Sequence, residues 1–301
     1  MRTQLISLLA AAAAITSPAC AKQLNVFACE PEWGALASEV GGDKVSVYVA
    51  TSGSQDPHQV QARPSLIAKA RSADVAVCTG AELEIGWLPM IVQQSGNAKI
   101  GAGAAGSFEA TSAMRLLEAP TRLDRAEGDV HAAGNPHIQT DPRSIVPVAK
   151  AMAAKFAALD PANAATYAAR EADFEKRWTA ALAGWSTKAA PLKGVSIAVQ
   201  HHSWTYLESW LGLTEVVPLE PKPGVPPSSG YLAQVLQKLQ TTPVKFVIRA
   251  AYEDDRPSVF ISEHAHIPAV TLPFTIGGTD QAKDLFSLYD DTINRLLAGL
   301  K

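Results

Sequence analysis

Histidines in three distant parts of the chain stand in loops or just past the ends of strand-like runs. His58 lies in an Asp-Pro-His step, and His137 lies in an Asn-Pro-His step. His201 and His202 follow the apolar run at 196–199 after one residue. Open α/β sheets bind ligands at the carboxyl ends of their strands, and a neutral imidazole is a common zinc ligand. From spacing alone the alternatives are one shared metal ion and ordinary surface side chains, because no compact zinc-finger spacing is present.

Two α/β parts are predicted to position these histidines. Short β-rich runs alternate with amphipathic stretches near both ends of the chain. Such alternation predicts parallel sheets covered by helices. The predicted strands are residues 24–28, 45–49, 74–78, 98–101, 194–199, 244–248 and 269–272, and the predicted helices are residues 32–40, 63–72, 83–95, 203–211, 229–240 and 280–298.

A long helix is predicted between the two parts. Asp160 and Pro161 are typical of a helix start, with Asp as the N-cap and Pro at the first helical position. The helix is predicted to run to about Lys188. Large apolar residues along it recur at helical spacing and share one face; they are Tyr167, Phe174, Trp178, Leu182 and Trp185.

Composition and charge exclude some classes of partner. The chain has 301 residues, of which 47% are hydrophobic and 18% are charged, and its formal net charge is -3. This composition is typical of a soluble globular protein. So mild a charge gives no reason to expect nucleic acid or an anionic membrane surface as a partner.

The N-terminus is typical of a secretory signal peptide. Arg2 precedes an apolar stretch at 5–15, and Pro18 is followed by a small-x-small cleavage pattern at 19–21. One alternative is a membrane anchor, but the apolar run is shorter than the roughly 20 residues that a span needs. The other alternative is a lipoprotein attached at Cys20, for which the preceding residues are a poor match.

Two cysteines remain after the predicted cleavage. Cys29 and Cys78 each end a short apolar run. If those runs are neighbouring parallel strands, both sulfurs lie at the same edge of the sheet, and a disulfide is expected in an oxidising compartment. The alternative is two free buried cysteines.

The histidine motifs, taken together and in order, resemble those of the metal-binding solute-binding proteins of ABC importers, the cluster A-I family for zinc and manganese. The motifs are Asp-Pro-His at 56–58, Asn-Pro-His at 135–137 with Asp-Pro at 141–142, and His-x-x-Trp-x-Tyr at 201–206. The resemblance covers nearly the whole mature chain. It implies two α/β lobes with parallel sheets flanked by helices, joined by one long rigid backbone helix, and a metal in the cleft between the lobes.

The same resemblance implies a division of the chain and three metal ligands. The expected parts are a signal peptide at 1–21, an N-terminal lobe at 22–159, a linking helix at 160–190 and a C-terminal lobe at 191–301. The expected ligands are His58, His137 and His201. His201 is favoured over His202 because the family places its ligand three residues before an aromatic residue and five before a tyrosine.

The fourth ligand is less well defined. Many relatives carry an Asp directly after the last strand, whereas this chain continues with Pro273. The first carboxylate after the following Gly-Gly pair is Asp280, which is therefore predicted as the fourth ligand. The alternatives are that Asp280 only caps the final helix and that Glu263, His266 or a water completes the site.

A loop between the first two ligands is His- and acid-rich in some zinc-binding relatives. Here it carries only Glu127, Asp129 and His131. A solvated loop is expected, with weak and transient zinc collection as the alternative.

These observations predict a function for the chain. Three imidazoles and one carboxylate suit tetrahedral zinc, whereas manganese prefers more oxygen ligands. The expected protein is a high-affinity periplasmic zinc-binding protein and not an enzyme. It carries Zn²⁺, its transported ligand, to the membrane permease of an ABC importer. A periplasmic metallochaperone is a second possible partner. The alternatives are an exported zinc hydrolase, with Glu253 or Glu263 as general base, and a zinc chaperone or adhesin-like protein on the same scaffold.

Overall fold

A computed structural model of the chain describes residues 22–120, 128 and 131–301. The predicted signal peptide at 1–21 lies outside the described residues, as do Glu127 and Asp129. Within the described part, two four-stranded parallel sheets are flanked by helices and connected through one long helix, which confirms the predicted fold class. Among the described helices, none combines the length and the apolarity that a bilayer span requires.

The N-terminal lobe is a parallel sheet with helices between its strands. Its elements are β1 (Leu24–Ala28), α1 (Pro31–Gly41), β2 (Val45–Val49), α2 (Pro64–Ser72), β3 (Val75–Cys78), α3 (Leu88–Ser95) and β4 (Ser107–Glu109). The strand order is β2-β1-β3-β4. In the register, Val26 pairs with Val47 on one side and with Val75 on the other. The central strands are apolar because helices or loops cover both of their faces.

The C-terminal lobe repeats this plan after two further helices. The connecting helices are α4 (Ile145–Leu159) and α5 (Ala164–Lys188), and the lobe contains β5 (Ser196–Val199), α6 (Thr205–Leu211), β6 (Thr214–Pro218), α7 (Ser229–Thr241), β7 (Phe246–Ala250), α8 (Arg256–Ala265), β8 (Ala269–Leu272) and α9 (Leu285–Gly299). The strand order β6-β5-β7-β8 matches that of the first sheet. In both lobes the carboxyl ends of the strands share one edge, where ligands bind in sheets of this kind.

The long helix α5 ties the lobes into one hydrophobic core. Its aromatic face is buried as predicted, and Trp178 packs on Tyr289 of α9 with ring centroids 5.4 Å apart. The Trp178 indole also donates a hydrogen bond to Pro142 O at 2.8 Å. One continuous apolar cluster therefore runs from the first sheet through α5 to the second sheet.

The start of α5 differs from the prediction. Pro161–Asn163 forms a short 3-10 turn and α5 begins at Ala164. The Asp160 carboxylate makes no capping bond to the backbone; it accepts hydrogen bonds from the Asn163 amide and the Tyr167 hydroxyl, both at 2.7 Å. Asp160 and Pro161 therefore hold the predicted N-cap and first positions, but of the 3-10 turn that precedes α5, and Asp160 makes no side-chain capping bond.

Other predicted elements also shift. The strand predicted at 98–101 is wrong, because Ala98–Ile100 is a 3-10 turn and the edge strand is β4. The helix predicted at 83–95 begins only at Leu88, after Ala81 and Glu82 adopt positive φ. Helix α4 and strand β6 lie where no element was predicted; α4 is rich in alanine and apolar on most sides, so it lacks the polar–apolar alternation that marks a surface helix.

The predicted disulfide is confirmed. Strands β1 and β3 are parallel neighbours, and Cys29 and Cys78 at their carboxyl ends are bonded, with Cα atoms 4.8 Å apart. The bridge therefore ties two strands together at the edge where the loops of the candidate site begin.

Candidate metal centre

His58 is held in the loop between β2 and α2 by its own Asp-Pro-His step. The Asp56 carboxylate accepts a hydrogen bond from His58 N at 2.9 Å and lies 2.8 Å from Nδ1 of the ring. Trp87 stabilises this Asp-Pro-His segment, because its indole N–H donates a hydrogen bond to Pro57 O at 2.9 Å. Nε2 of His58 is buried and has no hydrogen-bond partner among the described residues, so this nitrogen is available to a ligand.

Asn135 fixes the position of His137. Its side-chain oxygen accepts a hydrogen bond from His137 N at 3.0 Å, and its carbonyl oxygen accepts one from the Tyr206 hydroxyl at 2.7 Å. The same hydroxyl accepts a hydrogen bond from Leu117 N at 2.9 Å. The Asn-Pro-His and His-x-x-Trp-x-Tyr motifs therefore form one hydrogen-bonded unit that links the two lobes, and it leaves the His137 side chain only 1% exposed.

His201 follows β5 and is oriented by a carboxylate from the next loop. Its Nδ1 lies 2.7 Å from Oε2 of Glu220, which also accepts a hydrogen bond from Gly224 N at 2.8 Å. A metal-ligating histidine usually directs its second ring nitrogen to such a partner. Asp56 plays the same part for His58, and these two acids are called the outer carboxylates below.

His202, the neighbour of His201, is bound quite differently. Its two ring nitrogens lie 2.9 Å from a carboxylate oxygen of Glu118 and 2.9 Å from one of Glu215. These hydrogen bonds raise the pKa of His202 to about 10. Burial alone would raise the pKa of Glu118, but hydrogen bonds with His202 and Asn135 lower it to about 2. His202 is therefore an imidazolium at neutral pH and offers no lone pair to a metal.

Four imidazole rings meet between the lobes: His58, His131, His137 and His201, called the histidine cluster below. The ring centroid of His58 lies 5.3 Å from that of His137 and 5.7 Å from that of His201. The His137 and His201 centroids are 5.9 Å apart. Two imidazoles on one tetrahedral zinc have centroids roughly 5 Å apart, given Zn–N bonds of about 2.0–2.1 Å. The rings are therefore close to the spacing of a metal-bound site.

His131 is the member of the cluster to which the sequence assigned no ligand role. One nitrogen each from His58, His131 and His137 can be chosen so that all lie within 4.8 Å of one another. The His131 segment is held by the next residue, because Ala132 N donates to a Glu82 carboxylate oxygen at 3.1 Å. The available signal was the position of His131 six residues before His137 in the same loop.

The other candidates for the fourth ligand are exposed: Asp280, Glu263 and His266. In the described part of the chain none of them joins the group of His58, His131 and His137, whose nitrogens lie within 4.8 Å of one another, and His201 also lies outside that group. The residue after β8 that reaches the cluster is Phe274, with its ring centroid 5.4 Å from that of His137. This segment supplies an apolar wall to the cluster. Asp280 stays a prediction that the geometry does not favour.

Electrostatics prepare the cluster for a cation. Burial, together with the nearby His58 and His201, holds the pKa of His137 well below its ordinary value, so the ring is neutral at physiological pH. Burial alone would raise the pKa of Asp56, but its hydrogen bonds with His58 outweigh that effect and lower it. A neutral imidazole with its lone pair therefore lies beside a histidine that is backed by an ionised carboxylate.

Two cavities reach the cluster, and His201 lines both of them. One, of about 320 Å³, opens beside His131 and the Glu118–His202 pair. The other, of about 300 Å³, opens beside the outer carboxylates and Asp254. Asp254 is paired there with Arg256, so the outer carboxylates are the source of negative charge at the second opening.

A two-lobed α/β fold with histidines gathered between the lobes is the architecture of a metal-binding solute-binding protein. The model of the family described as "Zinc-uptake complex component A periplasmic" (ZnuA) matches residues 26–299. The chain belongs to this family, as the resemblance of its motifs predicted. The family consists of metal-binding, substrate-binding proteins of ABC transporters and not of enzymes.

Relatives with assigned metals include zinc and manganese binders. The zinc-binding lipoprotein AdcA of Streptococcus pneumoniae is 22% identical over 250 residues, which cover 80% of this chain and 49% of AdcA. This chain therefore spans about half the length of AdcA. The manganese ABC transporter substrate-binding lipoprotein PsaA of the same species is 21% identical over 287 residues, which cover 93% of this chain and 90% of PsaA.

Solved structures share the fold. A crystal structure of ZnuA superposes with a TM-score of 0.73 at 22% identity, covering 91% of this chain and 99% of that chain. The Mn-bound periplasmic metal-binding protein of Candidatus Liberibacter asiaticus superposes with a TM-score of 0.75 at 15% identity, covering 93% of this chain and 100% of that chain. At these identities the likeness establishes the fold and not the metal.

Proposed function

We propose that this chain is a zinc-binding protein that captures Zn²⁺ between its lobes and delivers it to the membrane permease of an ABC importer. The proposed ligands include His58, His137 and His201. The observation that carries the proposal is the convergence of these imidazoles from three separate loops, with ring centroids 5.3 to 5.9 Å apart. Family membership supports the transport role, and it argues against the hydrolase alternative.

Donor chemistry favours zinc over manganese. Manganese binds nitrogen sites more weakly than the other first-row divalent ions and prefers carboxylate and water ligands. The carboxylates nearest the rings, Asp56 and Glu220, are hydrogen-bonded to imidazole Nδ1 atoms. The atoms left to face a metal are therefore imidazole nitrogens, which suit a borderline ion such as zinc.

Export is part of the proposal. AdcA is named as a zinc-binding lipoprotein, and PsaA is named as a substrate-binding lipoprotein of a manganese ABC transporter. The N-terminus of this chain has the features of a cleavable signal. We propose a periplasmic location after cleavage near Ala21. Cell fractionation and N-terminal sequencing of the mature protein test this location. A lipid on Cys20 would instead place the protein in the membrane fraction. A metallochaperone has no support in the relatives and is not included.

Metal titration of the purified zinc-free protein tests the proposal. Calorimetry should show one Zn²⁺ bound per chain, and excess Mn²⁺ should fail to displace it. Zinc should also raise the thermal midpoint, because a ligand that binds only the folded state stabilises that state. Absence of zinc binding, or equal preference for manganese, would contradict the proposal.

A further inference from the structure

We infer that His131 is the fourth ligand of the metal, and that the outer carboxylates Asp56 and Glu220, instead of a ligating Asp280, balance the charge of the ion. The inference rests on the proposed function. It deepens that function by defining an all-imidazole site whose selectivity follows from its donor atoms.

The position of His131 is the first argument. Its ring centroid lies 5.6 Å from that of His58 and 6.1 Å from that of His137. One nitrogen from each of these rings lies within 4.8 Å of the others. Nitrogens on one tetrahedral zinc are roughly 3.3 Å apart, given Zn–N bonds of about 2.0–2.1 Å. The three nitrogens therefore need to close by at most about 1.5 Å to share an ion.

The loop that carries His131 is held in place independently of any metal. Gly134 N donates to His131 O at 3.2 Å, and Asn135 N donates to Leu117 O at 2.9 Å. Ala132 N is bound by the Glu82 carboxylate at 3.1 Å. A histidine whose own carbonyl and following residues are hydrogen-bonded in this way loses less conformational entropy on binding a metal than one on a free loop.

The same loop touches the opposite lobe. A Cβ on Gly128 would lie 2.2 Å from Pro223 O, and Gly128 has a φ of +91°, so only glycine fits this contact. Pro223 belongs to the loop in which Glu220 binds the His201 ring. The loop that carries His131 and the loop that orients His201 therefore contact each other across the cleft. Both histidines line the same cavity.

Charge balance is the second argument. Four neutral imidazoles leave the two positive charges of zinc uncompensated, and a buried unpaired charge is costly. Asp56 lies 2.8 Å from Nδ1 of His58, and Glu220 lies 2.7 Å from Nδ1 of His201. Each supplies one negative charge through a ligand ring. Such carboxylate–histidine pairs also make the ligating nitrogen more basic, so no carboxylate is needed in contact with the ion.

The aromatic residue in the segment after β8 is the third argument. Phe274 is 3% exposed and stands two residues after β8, in the stretch where a ligating Asp was expected. Its ring packs against Trp204 at 5.6 Å, Tyr252 at 5.4 Å and His137 at 5.4 Å between centroids. An aromatic ring packed there offers no ligand atom to the ion, whereas the His131 ring, 6.1 Å from that of His137 between centroids, does.

A matched set of variants tests the inference. Zinc affinity is measured by competition with a chromophoric chelator, and the visible spectrum of bound Co²⁺ reports the donor set. His131→Ala should lower zinc affinity by at least about 10-fold, the lower end of what the loss of even an outer partner costs. Its Co²⁺ spectrum should weaken and shift, because water replaces an imidazole. His264→Ala, which removes an exposed histidine on α8, and Asp280→Ala should leave both readouts unchanged.

Three results would overturn the inference. The first is unchanged zinc affinity in His131→Ala, and the second is a loss of affinity in Asp280→Ala. The third is a loss of affinity in His131→Ala with an unaltered Co²⁺ spectrum, which would make His131 a positioning residue. Failure of the proposed function is distinguishable from all of these, because the wild-type protein would then bind no zinc.

Discussion

Two polar clusters lie near the carboxyl edge of the N-terminal sheet, one partly and one fully buried, and they have opposite chemistry. The histidine cluster gathers four imidazoles that are backed by carboxylates. The other cluster consists of Glu30, Glu32 and Glu84, which are 3%, 1% and 4% exposed, and it is called the carboxylate cluster below. The histidine cluster is suited to binding a metal cation, whereas the carboxylate cluster binds protons.

Hydrogen bonds show how the carboxylate cluster is built. Glu84 accepts hydrogen bonds from Thr79 N at 2.6 Å and Gly80 N at 3.1 Å. The Thr79 hydroxyl donates to Glu30 at 3.1 Å. From the other lobe, the Thr275 hydroxyl donates to Glu32. These bonds join the disulfide-linked strand ends to the segment after β8, so the cluster is a structural contact between the lobes.

One physical cause, burial, acts on both clusters. Burial disfavours the charged form of any group. It raises the pKa of Glu32 to about 7 and that of Glu84 to about 7, and together with the neighbouring Glu84 and Glu32 it raises the pKa of Glu30 well above its ordinary value. It lowers the pKa of His137. A neutral imidazole keeps a lone pair for a metal, whereas a neutral carboxyl has lost the charge that would attract one.

Removal of a ligand should have the largest effect. We expect His58→Ala, His137→Ala and His201→Ala each to weaken zinc binding by more than the 10- to 100-fold that loss of an outer partner costs. Chelator competition measures the affinity, with His264→Ala as the control. A variant among the three that keeps wild-type affinity would remove that residue from the site and weaken the contrast between the clusters.

The disulfide should matter for stability and not for metal binding. Cys29 and Cys78 are separated by 49 residues, and we expect their reduction to lower the free energy of unfolding by about 2–4 kcal/mol. Neither sulfur belongs to the histidine cluster, so the zinc stoichiometry should not change. Chemical denaturation and zinc titration with and without reductant measure both effects. Loss of zinc binding on reduction would show that the strand ends position the site.

The outer carboxylates should tune affinity without being ligands. Asp56→Asn and Glu220→Gln keep the shape of each side chain but remove the charge. We expect each to weaken zinc binding by about 10- to 100-fold, because the ligand ring loses its charged partner. Glu263→Gln, an exposed acid on α8, is the matched control. Unchanged affinity in both variants would mean that the charge of the ion is balanced elsewhere.

The smallest expected effect is a pH dependence that isolates the carboxylate cluster. Glu84 titrates near pH 7 in the folded chain and near its ordinary value of 4.5 when unfolded. Its stabilising protonated form is fully present below pH 4.5, and the contribution is lost as the pH rises through about 7. Glu84→Gln cannot ionise. We therefore expect the stability of this variant, relative to wild type, to improve between pH 5 and pH 8.

Denaturation of the zinc-free proteins at several pH values measures this difference. The histidine cluster works in the opposite sense, because a depressed pKa at His137 removes stability as the pH falls. Acid also releases zinc by protonating imidazoles. A difference between Glu84→Gln and wild type that stays constant with pH would show that Glu84 is ionised throughout, and the proposed contrast between the clusters would fail.

The fold was largely predictable because its signals are local. Alternating strand and helix patterns, the aromatic face of α5 and the paired cysteines all depend on short-range periodicity or on strand adjacency. The elements that were missed lack such signals. Strand β4 has three residues, and α4 is too uniformly apolar to show a helical face.

The candidate site was predictable only where residues lie in recognisable motifs. His58, His137 and His201 were predicted because each stands in such a motif, and the structure brings their rings to within 5.9 Å of one another between centroids. The supporting residues were not, because contacts distant in sequence select them: Glu220 lies 19 residues after His201, and His131 depends on a bond between Ala132 and Glu82. Asp280 was predicted from the family pattern, and nothing in its local sequence indicates that its side chain is exposed.

A crystal structure of the zinc-loaded protein, with the metal located by anomalous scattering at the zinc edge, tests the central claim most directly. The account predicts one zinc bound by nitrogens of His58, His131, His137 and His201 at about 2.0–2.1 Å, with Asp56 and Glu220 still on the Nδ1 atoms of their histidines. A carboxylate oxygen bonded to the metal, or zinc bound away from these rings, would contradict it.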